Sequence, residues 1–277
     1  MSLLKLLRKK PDRAGRDMRM EVLLCFLEST FTIGDVLHMI EDSKEFHPHF
    51  VAKYGNWDDR KELTNAIYEE LRNADSEANE LLLSEGISFH DMENNYRLFF
   101  HTIPNSEKSQ AIYLTLSNMR FLESEVFNHL VTHDRFISGN CYNWDDDFIQ
   151  NSTFLEFYKL RKITPIATRK NYIGQIEVDI DKNPGKKEML SRTWVASSWK
   201  MWFGKIFYSI VSKEKLQGFE KAFIIKELSN EVTFIQLYEN PEEFDSKKNR
   251  QIQMSFKEWL NYEKLLEQFP RLKLRSG

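Results

Sequence analysis

Twice along this chain of 277 residues, two β-periodic runs are separated only by a short polar turn. Strands that follow one another so closely pair antiparallel, because a parallel crossover needs a dozen or more residues. Tyr96 to Ile103 and Gln110 to Leu116 flank Pro104-Asn105-Ser106, and Ala222 to Leu228 and Val232 to Tyr238 flank Ser229-Asn230-Glu231. Around these hairpins the periodicity alternates between two and 3.6. Arg19 to Leu27 and Arg135 to Tyr142 read as strands, and Ile173 to Ile180 as a strand stopped by Asn183-Pro184-Gly185. Thr32 caps a helix carrying Ile33, Val36, Leu37 and Ile40. Asp58 to Ser84 reads as the longest helical segment, with Leu63, Ile67, Leu71, Ala74, Ala78 and Leu81-Leu82 at helical spacing. Glu123 to His133 is a shorter helix. Asn249 to Phe269 closes the chain as an amphipathic helix with a stripe of Ile252, Phe256, Trp259, Leu260 and Leu266. The expected fold is α+β, a mainly antiparallel sheet with flanking helices and a C-terminal amphipathic helix. With no repeat, no low-complexity tract and no Gly/Ser linker, one domain over residues 1–277 is expected; a subdivision near residue 150, at Asn151, is the alternative.

Composition narrows the function. An apolar share of 41%, with 13% aromatic residues, supplies a core and excludes extensive disorder. Acids and bases nearly cancel to a formal charge of -3, so no global field attracts nucleic acid. Cys25 and Cys141 form neither a disulfide framework nor a CxxC metal site, which suits a reducing, cytoplasmic compartment. The apolar run Val22 to Leu27 is far shorter than the ~20 residues needed to cross a bilayer. Met1 to Lys10 lacks the pattern of a secretory signal, and its Leu3, Leu4, Leu6 and Leu7 suit a short docking helix. No membrane partner is expected.

Candidate sites are sparse. Asp179-x-Asp181-x-Asn183 opens like a calcium loop, but Pro184 stands where the loop needs Gly and Leu190 where it needs a bidentate Glu. Glu125, His129 and His133 share a helical face at metal-ligand spacing, among Val126, Phe127, Leu130 and Val131 that mark a core-packed helix. Proline in His47-Pro48-His49 turns the imidazoles apart. The expectation is therefore no metal and no cofactor. Acids gather at Asp145-Asp146-Asp147, Asp179, Asp181, Glu239, Glu242, Glu243 and Asp245, and read as solvated turns or as an electrostatic patch for a basic partner. No nucleophile, phosphate or dinucleotide motif is present, so no catalytic residue is named. Trp194, Trp199 and Trp202 lie within nine residues; Trp199 and Trp202 would share a helical face with Val195 and Ile206 and pack a core.

From about Phe136 to Leu260 a series of short motifs follows in order. These are Cys141-Tyr142-Asn143-Trp144-Asp145-Asp146-Asp147-Phe148, Asp179-Ile180-Asp181-Lys182-Asn183-Pro184-Gly185, Met201-Trp202-Phe203-Gly204 and Leu237-Tyr238-Glu239-Asn240-Pro241. Asn249-Arg250-Gln251-Ile252-Gln253 then leads into Phe256 and Trp259. In these segments the chain resembles the immunity protein 52-like family of bacterial polymorphic-toxin and type VI secretion systems. The resemblance implies a non-enzymatic protein that binds a cognate protein toxin and blocks it, with Asp145, Asp146, Asp147, Glu242 and Glu243 as contact residues. Two other readings stand beside it: a hydrolase-like enzyme whose carboxylates are gathered by the fold, and a generic interaction protein that forms a homo-oligomer.

Overall fold

The protein is described here by a computed structural model, over residues 19–41, 43, 46–53, 60–73, 80–85, 97–103, 109–117 and 119–269. The docking helix expected at Met1 to Lys10 and the turn expected at Pro104-Asn105-Ser106 lie outside the described residues. Within them the fold is α+β. Ten strands form one sheet in the order β13-β14-β12-β7-β1-β6-β5-β4-β2-β3, and every neighbouring pair runs antiparallel. The strands are β1 (Met20–Leu27), β2 (Phe50–Lys53), β3 (Lys61–Glu62), β4 (Glu80–Ser84), β5 (Arg97–Ile103), β6 (Ser109–Leu116), β7 (Phe136–Asn143), β12 (Lys200–Phe203), β13 (Ile224–Glu227) and β14 (Thr233–Gln236). Two small hairpins stand apart, β8 (Thr168–Lys170) with β9 (Ile176–Val178), and β10 (Glu188–Leu190) with β11 (Thr193–Val195). β7 pairs with β1 on one side and β12 on the other, so the sheet runs without a break across residue 150.

The central strands are buried on both faces, which is why β1 reads as a nearly unbroken apolar run rather than an alternation. One face, carrying Leu24, Ile112 and Trp202, is covered by α1 (Ile33–Glu41) and α3 (Glu125–Val131). Val36, Ile40, Val126 and Leu130 meet Ile112 there, and Phe127 stands edge-on to Trp202 at 5.1 Å. The opposite face carries Cys25, Ser138 and Asn140, and the β10–β11 hairpin lies across it: Asn140 donates to the Trp194 carbonyl at 3.0 Å and Ser138 bonds Thr193. Gly204 allows the chain to cross Phe136 closely, since a Cβ there would stand 2.5 Å from the Phe136 carbonyl oxygen.

Several expectations are corrected. Asp58 to Ser84 is not one helix: its described residues hold β3, α2 (Asn65–Arg72) and β4, whose buried Leu81, Leu82 and Leu83 mimic helical spacing because a strand covered on both faces has no alternation to reveal it. The indoles sit on strands and a loop, not on a helix; Trp199 is still buried and donates to the Tyr238 carbonyl at 2.8 Å. The C-terminal helix is two, α7 (Lys247–Trp259) and α8 (Tyr262–Gln268), broken where Asn261 turns left-handed at φ 53°. Of Ile173 to Ile180 only β9 is strand. Asp145-Asp146-Asp147 is no exposed turn: it opens the helix α4 (Trp144–Asn151), capped by Asn143, whose side chain accepts the Asp145 N–H at 3.0 Å. Three acids in the first turn suit the helix dipole.

Candidate functional site

Each aspartate of α4 is met by a cation from a different part of the chain. Asp145 receives both guanidinium nitrogens of Arg161, at 2.8 and 3.0 Å, from the end of α5 (Leu155–Arg161). Asp146, fully buried, accepts from Arg250 of α7 at 2.6 Å and from the Gln150 and Gln253 amides at 3.1 and 3.4 Å. Asp147 pairs with Lys187 at 2.7 Å. Burial first, and the Asp146 charge second, hold the neighbouring Tyr238 phenol neutral, far above its ordinary pKa. The acids predicted to meet a partner are thus internal counter-ions, most completely in the case of Asp146.

Two of these pairs, Asp145–Arg161 and Asp147–Lys187, fix the segments that lead into and out of the β8–β9 hairpin, while Asp146–Arg250 ties the same helix to α7. The chain leaves α5 at Arg161, runs out along β8, returns along β9 and comes back under α4. There the Asn183 amide donates to the Ile149 and Gln150 carbonyls at 3.3 and 3.1 Å, and the Gly185 N–H donates to the Gln150 side chain at 3.0 Å. The hairpin roots are closed by Val178 N–H to Thr153 O and Asp179 N–H to Ala167 O, both at 3.0 Å. Arg169 bridges Glu177, Asp179 and Asp181 at 2.8, 3.2 and 2.7 Å. Lys186 chiefly, with Arg169, holds the Asp181 carboxyl below its usual range. In this arrangement Asp179, Asp181 and Asn183 serve the hairpin frame rather than a cation loop. At the tip the Asn171 side chain accepts the Ile173 and Gln175 N–H groups, and Gly174 supplies a φ of 81°.

What this mount projects is apolar. Tyr172 is 98% exposed, and Ile166, Ile173, Ile176 and nearby Phe154 are between 55% and 64% exposed. Isolated exposed apolar residues need no explanation, but five along one rigidly held hairpin and its root make a patch of the kind that marks interaction sites. Sequence reasoning missed these residues. The available signal was a stretch from 162 to 176 containing apolar residues and Lys162, Arg169 and Lys170 but no acid.

The other predicted groups are placed separately. Glu242 and Glu243 sit on the turn Pro241–Glu243, Glu242 half-buried and Glu243 exposed, with Glu239 and Asp245 exposed beside them. Phe244 lies under the Arg250 guanidinium at 5.4 Å and so ties this turn to the Asp146 pair. His133 lies beyond the end of α3; it accepts the Arg135 N–H at 3.1 Å, and its ring packs against Phe31 at 5.2 Å. Among the described residues no cluster of three His, Cys, Asp or Glu side chains is disposed to hold a metal ion, and no helix is long and apolar enough to cross a membrane. A groove of about 740 Å³ between α7 and α8 mixes Lys182, Lys257 and Lys264 with Asp181, Glu258 and Glu263, and Lys257 is engaged by the Asn183 carbonyl at 3.2 Å. Comparison with protein-family models, characterised proteins and solved structures finds no match to this chain.

Proposed function

We propose that this chain is a non-catalytic, cytoplasmic protein of the toxin-neutralising kind, which protects its producer by binding a cognate protein toxin. The observation that carries the reading is the β8–β9 hairpin, an exposed apolar surface on a mount of ion pairs. Holding such residues in place before binding lowers the ordering cost of association, and an aromatic tip is the usual form of an interface hot spot. General acid–base chemistry asks for a carboxyl group of tuned acidity within reach of a substrate. The aspartates of α4 are instead spent on Arg161, Arg250 and Lys187. Within this reading Glu242 and Glu243 are rim contacts, and Asp145, Asp146 and Asp147 act through the hairpin they support.

The test is co-expression with the products of the genes adjacent to its own, scored for rescue of growth and for a complex that survives gel filtration. Rescue with a stable complex is the expected result. If no adjacent product is toxic, or a toxic one is neither bound nor relieved, the toxin-neutralising reading is wrong.

A further inference from the structure

We infer that the partner adds an extended segment of its own chain to the edge strand β13, as one more antiparallel strand with an acidic residue opposite Lys226. This rests on the binding reading above and gives it a second surface. The ten-stranded sheet ends at β13, which pairs with β14 alone. Three bonds fix which of its backbone groups are in use. The Gly204 N–H donates to the Ile137 carbonyl and the Leu237 N–H to that of Trp199, both at 2.9 Å, so Thr233, Ile235 and Leu237 turn their backbone groups toward β12. Phe234 and Gln236 are left for β13, in phase with the Leu228 N–H that donates to the Val232 carbonyl at 2.8 Å. Ile224, Lys226 and Leu228 therefore face β14, whereas the N–H and C=O groups of Ile225 and Glu227 point out of the sheet and bond to no other described residue. Such a row is a template for another strand, and a polypeptide in extended form is what matches its donors and acceptors. The strand is open to approach: Phe223 is 51% and Ile224 36% exposed, and Lys226 and Glu227 are exposed beside them. Side chains then choose between occupants. In a pair that uses both Ile225 and Glu227, the intervening Lys226 stands at a non-hydrogen-bonded position, where facing side chains come closest. A second copy of this chain would set Lys226 against Lys226 there, a like-charge pair that disfavours it. Glu227 does not relieve the clash, since Lys213 holds it at 2.9 Å, and Lys226 has no ion pair among the described residues, its ammonium lying over the Phe234 ring at 5.2 Å. A foreign strand with a carboxylate opposite Lys226 satisfies both the backbone and the charge.

The experiment uses the full chain and the adjacent-gene toxin that it neutralises, with residue-resolved amide exchange as the first readout. In the free chain the Ile225 and Glu227 amides should exchange faster than that of Lys226, and in the complex both should slow by roughly tenfold or more. Equal rates in the free chain, or amides that keep their free rate in the complex, overturn the inference. Ile225→Pro removes one outward N–H and spares the β13–β14 ladder, a substitution that edge strands accept. Thermal unfolding checks that this variant folds, and it should weaken binding roughly tenfold or more. If it does not fold, the exchange result on the wild-type chain decides. Lys226→Glu should weaken binding by a similar factor at low salt and less at high salt. Either variant, folded and binding within about threefold of wild type, overturns the inference. Sedimentation of the chain alone is the last arm: a dimer that Ile225→Pro dissolves assigns the edge to a second copy and likewise overturns it. In all these cases the toxin still binds and the reading above stands. Failure of the wild-type chain to bind any adjacent product removes the reading and this inference together.

Discussion

Replacing Asp146 with alanine should be the most destabilising single change in the acid tract, by about 3–5 kcal/mol. Asp146 is wholly buried and the Arg250 side chain is only 18% exposed, so the deletion leaves a guanidinium largely out of water without its counter-ion. The buried Gln150 and Gln253 amides lose an acceptor at the same time. The neighbouring pairs grade downward with exposure. In Asp145–Arg161 the side chains are 10% and 21% exposed, and in Asp147–Lys187 both are 19% exposed. Asp145→Ala should therefore cost about 1–3 kcal/mol and Asp147→Ala about 1 kcal/mol or less. At roughly 2–4 °C per kcal/mol the Asp146 variant should melt roughly 6–20 °C low. Urea unfolding followed by tryptophan fluorescence gives the free energies directly. The double variant Asp146→Ala/Arg250→Met should recover part of the loss, because removing both charges also removes the desolvation cost. A cost below about 1 kcal/mol for Asp146→Ala, or strict additivity of the two changes, would refute Asp146 as a buried counter-ion.

Asn261 stands at φ 53° between α7 and α8, so Asn261→Ala should cost about 1 kcal/mol in the same assay while Asn261→Gly stays nearly neutral; equal costs would mean that the side chain, not the backbone, holds the break. His133 has its pKa lowered, first by burial and then by His129, so the unfolded chain binds more protons than the folded one just below its ordinary value of 6.5. Stability should thus be full above pH 6.5 and fall as pH drops toward the folded value. His133→Asn should flatten that slope between pH 5 and 7, and an unchanged slope would assign the acid sensitivity to another group. Burial pushes the Cys141 thiol up to about 12 and also raises Cys25, so neither should react with a thiol–disulfide reagent at pH 8 until the protein is unfolded; stoichiometric labelling of the native chain would contradict their burial.

The parts of the fold legible in the sequence are those written in local turn chemistry. Ser229-Asn230-Glu231 announces the β13–β14 hairpin, and Asn230 and Glu231 both take positive φ there, 55° and 57°. β1, β7 and α1 were equally readable from short-range patterns. Legibility fails where burial is two-sided. Leu81 to Leu83 and Met201 to Phe203 are apolar on every side, so their spacing fits a helix as well as a strand, and pairing with distant strands decides between them. The break at Asn261 was hidden because the stripe Phe256, Leu260 and Leu266 continues through it.

The pairing of the acid tract was illegible for a related reason, since its electrostatics are non-local. The cations that meet Asp145, Asp147 and Asp146 lie 16, 40 and 104 residues away in the chain, beyond any window in which three adjacent aspartates could be seen as neutralised. A sequence displays where charges are, whereas a partner feels only those left uncompensated after folding. The most acidic segment of this chain therefore contributes little outward field. Burying the acids also does mechanical work. Arg161 and Lys187 tie to one short helix the segments that lead into and out of the hairpin, whose exposed tip contrasts with Val178, buried in the core at its root. On this argument a variant of the tract and a variant of the tip fail in different ways. Asp145→Ala should raise amide exchange across residues 168–178 and weaken binding through disorder, while Tyr172→Ala should weaken binding with exchange unchanged. If Asp145→Ala left exchange in the hairpin at the wild-type rate, the ion pair would be incidental to it and the mount would have to lie in the Asn183 and Gly185 hydrogen bonds alone.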